Sequence, residues 1–83
     1  MSAVRILYFA ALRDLSGVNE EALELPAEVR TVADFTRHIQ CVRPALAGKL
    51  ASVRVALDET FAMDTDALGD SQTIALIPPV SGG

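Results

Sequence analysis

The chain has 83 residues, which allows one domain near the lower limit of what folds on a core alone. Its single cysteine excludes an internal disulfide, and no cysteine-histidine spacing points to a structural metal. A formal net charge of -4 argues against nucleic-acid binding, which needs clustered Lys and Arg, and favours a solvated surface or a basic partner.

Hydrophobic residues make up 51% of the chain, but 13 of them are alanine, so large core side chains are fewer than that figure implies. The opening MSAVRILYFAALRDL holds a short apolar run broken by Arg5. It lacks the basic start and long apolar stretch of a secretory leader, and no segment approaches bilayer-spanning length. A free thiol without a leader is expected in a reducing, cytoplasmic setting.

Val4 to Ala10, VRILYFA, is rich in β-branched and aromatic residues and predicts a strand. Ser16, Gly17 and Asn19 then form a turn cluster. Glu20 to Pro26 alternates charged and apolar residues, as a half-exposed strand paired to the first does, and Pro26 ends it because it has no N–H to give. Thr31 and Asp34 make a variant capping box, and Val32, Phe35, Ile39 and Val42 follow at helical spacing. The residue before Pro44 avoids helical backbone, so the helix stops there, and Pro44 can open one further short turn.

Ser52 to Glu59 alternates with Val53, Val55 and Leu57 on one face, which predicts a strand; Asp58-Glu59 predicts a turn and Thr60 to Ala62 a brief edge strand. MDTDALGD reads as a polar loop. Thr73 to Ile77, TIALI, is apolar on both faces, as a central strand is. The sum is an α+β mixed sheet with one main helix across one face. If Val4, Ile6, Tyr8, Val53, Val55, Leu57, Ile74 and Leu76 meet that helix, then Leu7, Phe9, Ala56, Ala75 and Ile77, with Phe61 nearby, form an apolar patch on the other face. Such a patch marks a partner site unless the Ala45 to Leu50 turn or a loop folds over it.

Within the body, chemistry-bearing residues are sparse. His38 sits among polar helix positions and reads as a solvated surface residue without the placed partner a general base needs. Cys41, beside Ile39 and Val42, reads as packing, with nothing to activate its thiol. Asp64, Asp66 and Asp70 match a calcium loop only loosely, without its closing glutamate at the required spacing. Ser16-Gly17 has no strand-to-helix context for a nucleophile elbow, and there is no glycine-rich phosphate loop.

The ending is different. Pro78 and Pro79 favour an extended polyproline conformation, and the six residues from Pro78 to Gly83 can reach about 19 Å at ~3.1 Å per residue. Gly82 and Gly83 have no Cβ, so their backbone can pass through a slot too narrow for other residues. The terminal carboxylate is ionised and inert unless another protein activates it, for instance as an acyl-adenylate. The plain alternative is a flexible glycine-ended terminus without a role. This division separates a domain over residues 1–77 from a tail over residues 78–83.

The stretches VRILYFAALRDLSG, VRVALDE and above all ALIPPVSGG make the chain resemble the small subunits of molybdopterin synthase, nearly end to end. That resemblance implies a β-grasp, or ubiquitin-like, fold and a sulfur carrier. It implies that an E1-like enzyme uses ATP to adenylate the carboxylate of Gly83 and that a sulfur donor converts it to a thiocarboxylate. The sulfur then passes to cyclic pyranopterin monophosphate in the larger subunit, building the dithiolene. Carried over by position, Gly83 bears the sulfur, Gly82 threads the channel, and Pro78, Pro79, Val80 and Ser81 form the guided tail. Phe9, Phe61 and Ile77 fall on apolar docking positions, and Arg13 falls where an arginine can meet an acidic partner. No cofactor bound by the chain itself is implied; the resemblance suggests an assembly with two copies of each subunit, a stoichiometry the sequence itself does not give.

Two departures stand out: Asp58 replaces a common Asn, and Ser71-Gln72-Thr73 replaces a Gly-Asp-Glu run. The resemblance leaves open a carrier for thiamine synthesis or tRNA thiolation, a ubiquitin-like protein modifier, and a binding module with an idle tail.

Overall fold

The computed structural model describes residues 2–79. Five strands, β1 (Ser2–Tyr8), β2 (Glu20–Leu25), β3 (Arg54–Leu57), β4 (Thr60–Ala62) and β5 (Thr73–Ile77), form one sheet in the order β2-β1-β5-β3-β4. The two central strands, β1 and β5, run parallel with Ile6 opposite Ile74, and every other pairing is antiparallel. TIALI is therefore the central strand its two apolar faces predict, with Ile74, Ala75 and Leu76 all buried.

One main helix, α2 (Val32–Val42), covers one face. Its capping box is complete: Thr31 Oγ1 accepts the Asp34 N–H at 3.1 Å, and Asp34 Oδ2 accepts the Thr31 N–H at 3.1 Å. Bonds from the backbone N–H groups of Arg30 and Thr31 hold the Asp34 carboxyl below its ordinary range. The helix buries Val32, Phe35 and Ile39 against Val4, Ile6, Tyr8, Val55, Ile74 and Leu76. Burial of a Phe35-sized side chain contributes roughly 1.5–3 kcal/mol, so a few such residues supply most of what a chain this short has available.

The polar loop after β4 has a structural task that its composition does not reveal. The N–H groups of Val32 and Ala33 in the first turn of α2 reach the carbonyls of Asp66 and Asp64, each at 3.0 Å, so the loop satisfies donors the helix cannot pair internally. Leu68 of the same loop is buried in the core.

Residues 11–16, read from sequence as part of a turn, instead form a short helix, α1 (Ala11–Ser16). Gly17, at φ 81°, ends it in the left-handed conformation, its N–H bonded to the Arg13 carbonyl at 2.9 Å. Leu12 is its buried anchor. The first strand consequently stops at Tyr8 instead of continuing to Ala10, which adopts φ 52° and ψ -128°.

The turn opened by Pro44 is a 3₁₀ segment, Pro44–Leu46, and it packs on the helix side, against α1 and α2. Leu46 and Leu50 join the core there, so this segment does not fold over the opposite face of the sheet. Among the described residues, no helix is long and apolar enough to cross a membrane.

Candidate functional site

The face of the sheet away from α2 is built by strict alternation. One row crosses it from strand to strand: Leu7 lies opposite Ala75, Ala75 opposite Ala56, and Ala56 opposite Phe61. The two alanines are small and low, only 8% and 6% exposed, while Leu7 and Phe61 rise on either side. The result is a shallow apolar trough. Next to it Ile77 lies opposite Arg54, and Phe9 donates its backbone N–H to the Leu76 carbonyl at 3.3 Å. Phe9 and Phe61 are 44% and 56% exposed, a large apolar display for so small a domain.

This trough sits beside the point where the chain leaves the sheet. β5 ends at Ile77, and the chain leaves the sheet through Pro78 and Pro79, half-buried and exposed in turn. The predicted tail positions Val80, Ser81, Gly82 and Gly83 lie outside the described residues. Phe9, Ile77 and Phe61, separated by up to 68 positions in sequence, are thus brought to one face around the exit of the chain. Arg13 is on α1, just beyond the end of β1, exposed and without an ion-pair partner among the described residues.

Sequence reading gave Arg54 no role. Its guanidinium lies 4.4 Å from the centroid of the Phe61 ring, over the open face. The signal was available in the alternation of β3, which places Arg54 on the same side as Ala56. Met63, just past the end of β4, is 73% exposed and was likewise missed as a surface apolar residue.

On the opposite side of the sheet, Tyr8, Glu21 and Arg43 form a polar cluster. The Tyr8 hydroxyl and the Arg43 guanidinium both donate to the Glu21 carboxylate, with Arg43 Nε at 3.0 Å from Oε2. Hydrogen bonding from Arg43, foremost, holds the Glu21 carboxyl below its ordinary range, while burial and the Glu21 charge push the Tyr8 phenol up. Tyr8 is therefore a fixed donor, and the cluster ties β1, β2 and the end of α2 together.

Two expectations need correction. Cys41 is exposed, not packed, because it lies about 200° round the helix from buried Ile39. His38, expected in solvent, is half-buried at the margin of the helix's inner face. Among the described residues, no group of three or more His, Cys, Asp or Glu is placed to hold a metal ion. A hollow of about 910 Å³ lies at the other end of the sheet, lined by Arg5, Leu25, Leu68 and Thr73 among others, away from Phe9 and Ile77. Among the described residues, the candidate site is therefore an apolar face and the chain exit beside it.

The molybdopterin synthase sulfur carrier subunit of Chlamydomonas reinhardtii is 37% identical over 82 residues, covering 96% of this chain and 98% of that protein. The crystal structure of SAMP1 from Haloferax volcanii superposes with a TM-score of 0.82 at 23% identity, covering 99% of this chain and 100% of the other. Subunits 1 and 2 of the molybdopterin-converting factor from Helicobacter pylori 26695 form a complex whose matching chain gives a TM-score of 0.67 at 20% identity, covering 99% of this chain and 100% of that one. The two structures establish the α+β β-grasp fold. The ThiS family matches residues 6–83, and the chain belongs to the ThiS family.

Proposed function

We propose that this chain is the sulfur carrier subunit of a molybdopterin synthase, and that its reacting group is the carboxylate of Gly83. The observation that carries the reading is the placement of the chain exit: β5 delivers Pro78 and Pro79 beside an exposed apolar face. A domain so arranged can seat on a partner while its last residues extend into that partner's active site. The relatives named as molybdopterin synthase sulfur carrier subunits, among them the one 37% identical, supply the chemical class. The Helicobacter pylori complex of subunits 1 and 2 supports a larger synthase subunit as the partner.

The chemistry follows from the inertness of a carboxylate. An E1-like enzyme joins the Gly83 carboxylate to AMP, with pyrophosphate leaving from ATP. A sulfur donor then displaces AMP, leaving a C-terminal thiocarboxylate. Its sulfur is softer and more nucleophilic than oxygen, and it is ionised at neutral pH without an added base. In the large subunit this sulfur bonds to a carbon of cyclic pyranopterin monophosphate in place of an oxygen substituent, which leaves. Water cleaves the resulting thioester to return the Gly83 carboxylate and free the sulfur on the substrate; two deliveries complete the dithiolene. The body contributes docking through Phe9, Phe61 and Ile77, with Arg13 facing an acidic partner residue. Pro78, Pro79, Val80 and Ser81 guide the tail, and Gly82 passes the narrowest part of the slot.

Intact-mass analysis tests the reading. After incubation with an E1-like enzyme, ATP and a sulfur source, the protein should gain the mass of one oxygen-to-sulfur exchange, located at Gly83 by fragmentation. An adduct to a lysine of another protein would identify a modifier instead, and an unchanged mass under competent conditions would contradict both.

A further inference from the structure

On the open face two arginines flank the apolar trough, and they are not equivalent. Arg5 is paired with Glu20 at 3.1 Å, so its charge is already met. Arg54 has no ion-pair partner among the described residues and lies on Phe61 instead. An arginine spread on an aromatic ring has already given up much of its side-chain freedom, so meeting a partner costs it less than it costs a freely moving side chain. Its position is also specific. Arg54 is the residue opposite Ile77, the last position of β5, so the charge stands where the chain leaves the sheet.

We propose that Arg54 is a docking cation that pairs with a carboxylate on the large synthase subunit, at the mouth of the slot that receives the tail. The inference rests on the sulfur-carrier reading and adds to it the chemistry of the receiving surface. That surface has an apolar ridge for the Leu7, Ala75, Ala56 and Phe61 trough and an acidic side chain at its edge. The guanidinium and a carboxylate are complementary in charge and shape. The stack leaves the donor edge of the guanidinium for an oxygen acceptor, and a carboxylate accepts two parallel N–H bonds from it. Seating the ridge removes water around the pair and strengthens it, so an apolar surface without the acid would strand a buried charge. The arrangement thus selects against apolar surfaces of the wrong charge as well as for the right one.

The test is the affinity of the full chain for the purified large subunit, measured by calorimetry over a range of salt concentrations. Arg54→Ala should weaken binding at least about ten-fold and Arg54→Glu about a hundred-fold. Arg54→Lys, which keeps the charge but not the fork, should fall between wild type and Arg54→Ala. The wild-type affinity should fall with added salt and that of Arg54→Ala should fall less steeply, which a structural role would not produce. Melting curves matching wild type establish that the exposed substitutions leave the fold intact. Wild-type affinity for Arg54→Glu would overturn the proposal while leaving the sulfur-carrier reading standing. A wild-type chain that does not bind the large subunit at all would overturn that reading and the proposal together. Self-association of the wild type that Arg54→Glu abolishes would assign the cation to a second copy of this chain and overturn it as well.

Discussion

Asp58 and Thr73 are joined twice: Asp58 Oδ1 accepts the Thr73 N–H at 2.9 Å, and the Asp58 N–H donates to the Thr73 carbonyl at 2.9 Å. The same oxygen accepts the Gln72 N–H at 3.0 Å. The tight turn between β3 and β4 is thereby fastened to the start of β5. The two departures from the family pattern, at Asp58 and at Ser71-Gln72-Thr73, meet in space. Asp58 also holds φ 48°, which Asp and Asn tolerate better than most side chains. Asp58→Asn keeps an acceptor oxygen and should change stability by less than about 0.5 kcal/mol, whereas Asp58→Ala should cost about 1–2 kcal/mol. Urea unfolding of the two variants beside wild type checks this.

The Glu21 cluster predicts a pH dependence with a definite sign. Its carboxyl is held below the ordinary range in the folded chain, so the stabilisation is present above the unfolded value of about 4.3. It is lost as pH falls through the lower folded value. Glu21→Gln should therefore cost about 1–3 kcal/mol at pH 7, with the deficit shrinking as the solution is acidified below about pH 4. Denaturant titrations at a series of pH values measure both. A deficit that grows on acidification would contradict the assignment.

Ala10 is strained where it stands. At φ 52° and ψ -128° it occupies the first central position of a tight turn that glycine prefers, and the Leu12 N–H closes onto the Phe9 carbonyl at 3.1 Å. Ala10→Gly should raise stability by about 1 kcal/mol despite the greater freedom of glycine in the unfolded chain. Ala10→Val should lower it by more than that. Thermal melts decide the order of the three proteins.

The open face should tolerate charge in isolation and not in complex. Phe9→Asp is expected to move folding stability by about 0.5 kcal/mol or less, since the ring is 44% exposed, while weakening capture by the large subunit. Unfolding of the variant would show that Phe9 belongs to the core.

How much of this was legible in the sequence depended on the range of the forces involved. Period-two alternation in VRILYFA and SVRVALDE, and the three-to-four spacing of Val32, Phe35 and Ile39, identified the sheet faces and the helix because each is a local record of burial. Short-range chemistry also sufficed for the Thr31–Asp34 cap. Helix α1 was missed because the Ser16-Gly17 pair reads as a turn; Leu12 and Leu15 followed by a terminal glycine was the signal to weigh against it. Long-range partnerships left no local trace. Nothing near Asp64 or Asp66 announces that their carbonyls complete the first turn of α2, and nothing near Asp58 announces Thr73. Arg54 was legible as a position but not as a cation, because its significance depends on Phe61, across a hairpin, and on Ile77, at the end of β5.

The most direct test of the central claim is dithiolene formation in a purified system containing the large subunit, an E1-like enzyme, ATP, a sulfur source and cyclic pyranopterin monophosphate. The full chain should support product formation, and a chain ending at Gly82 should support none while melting at the same temperature. Product formed at the full rate by the shortened chain would contradict the account.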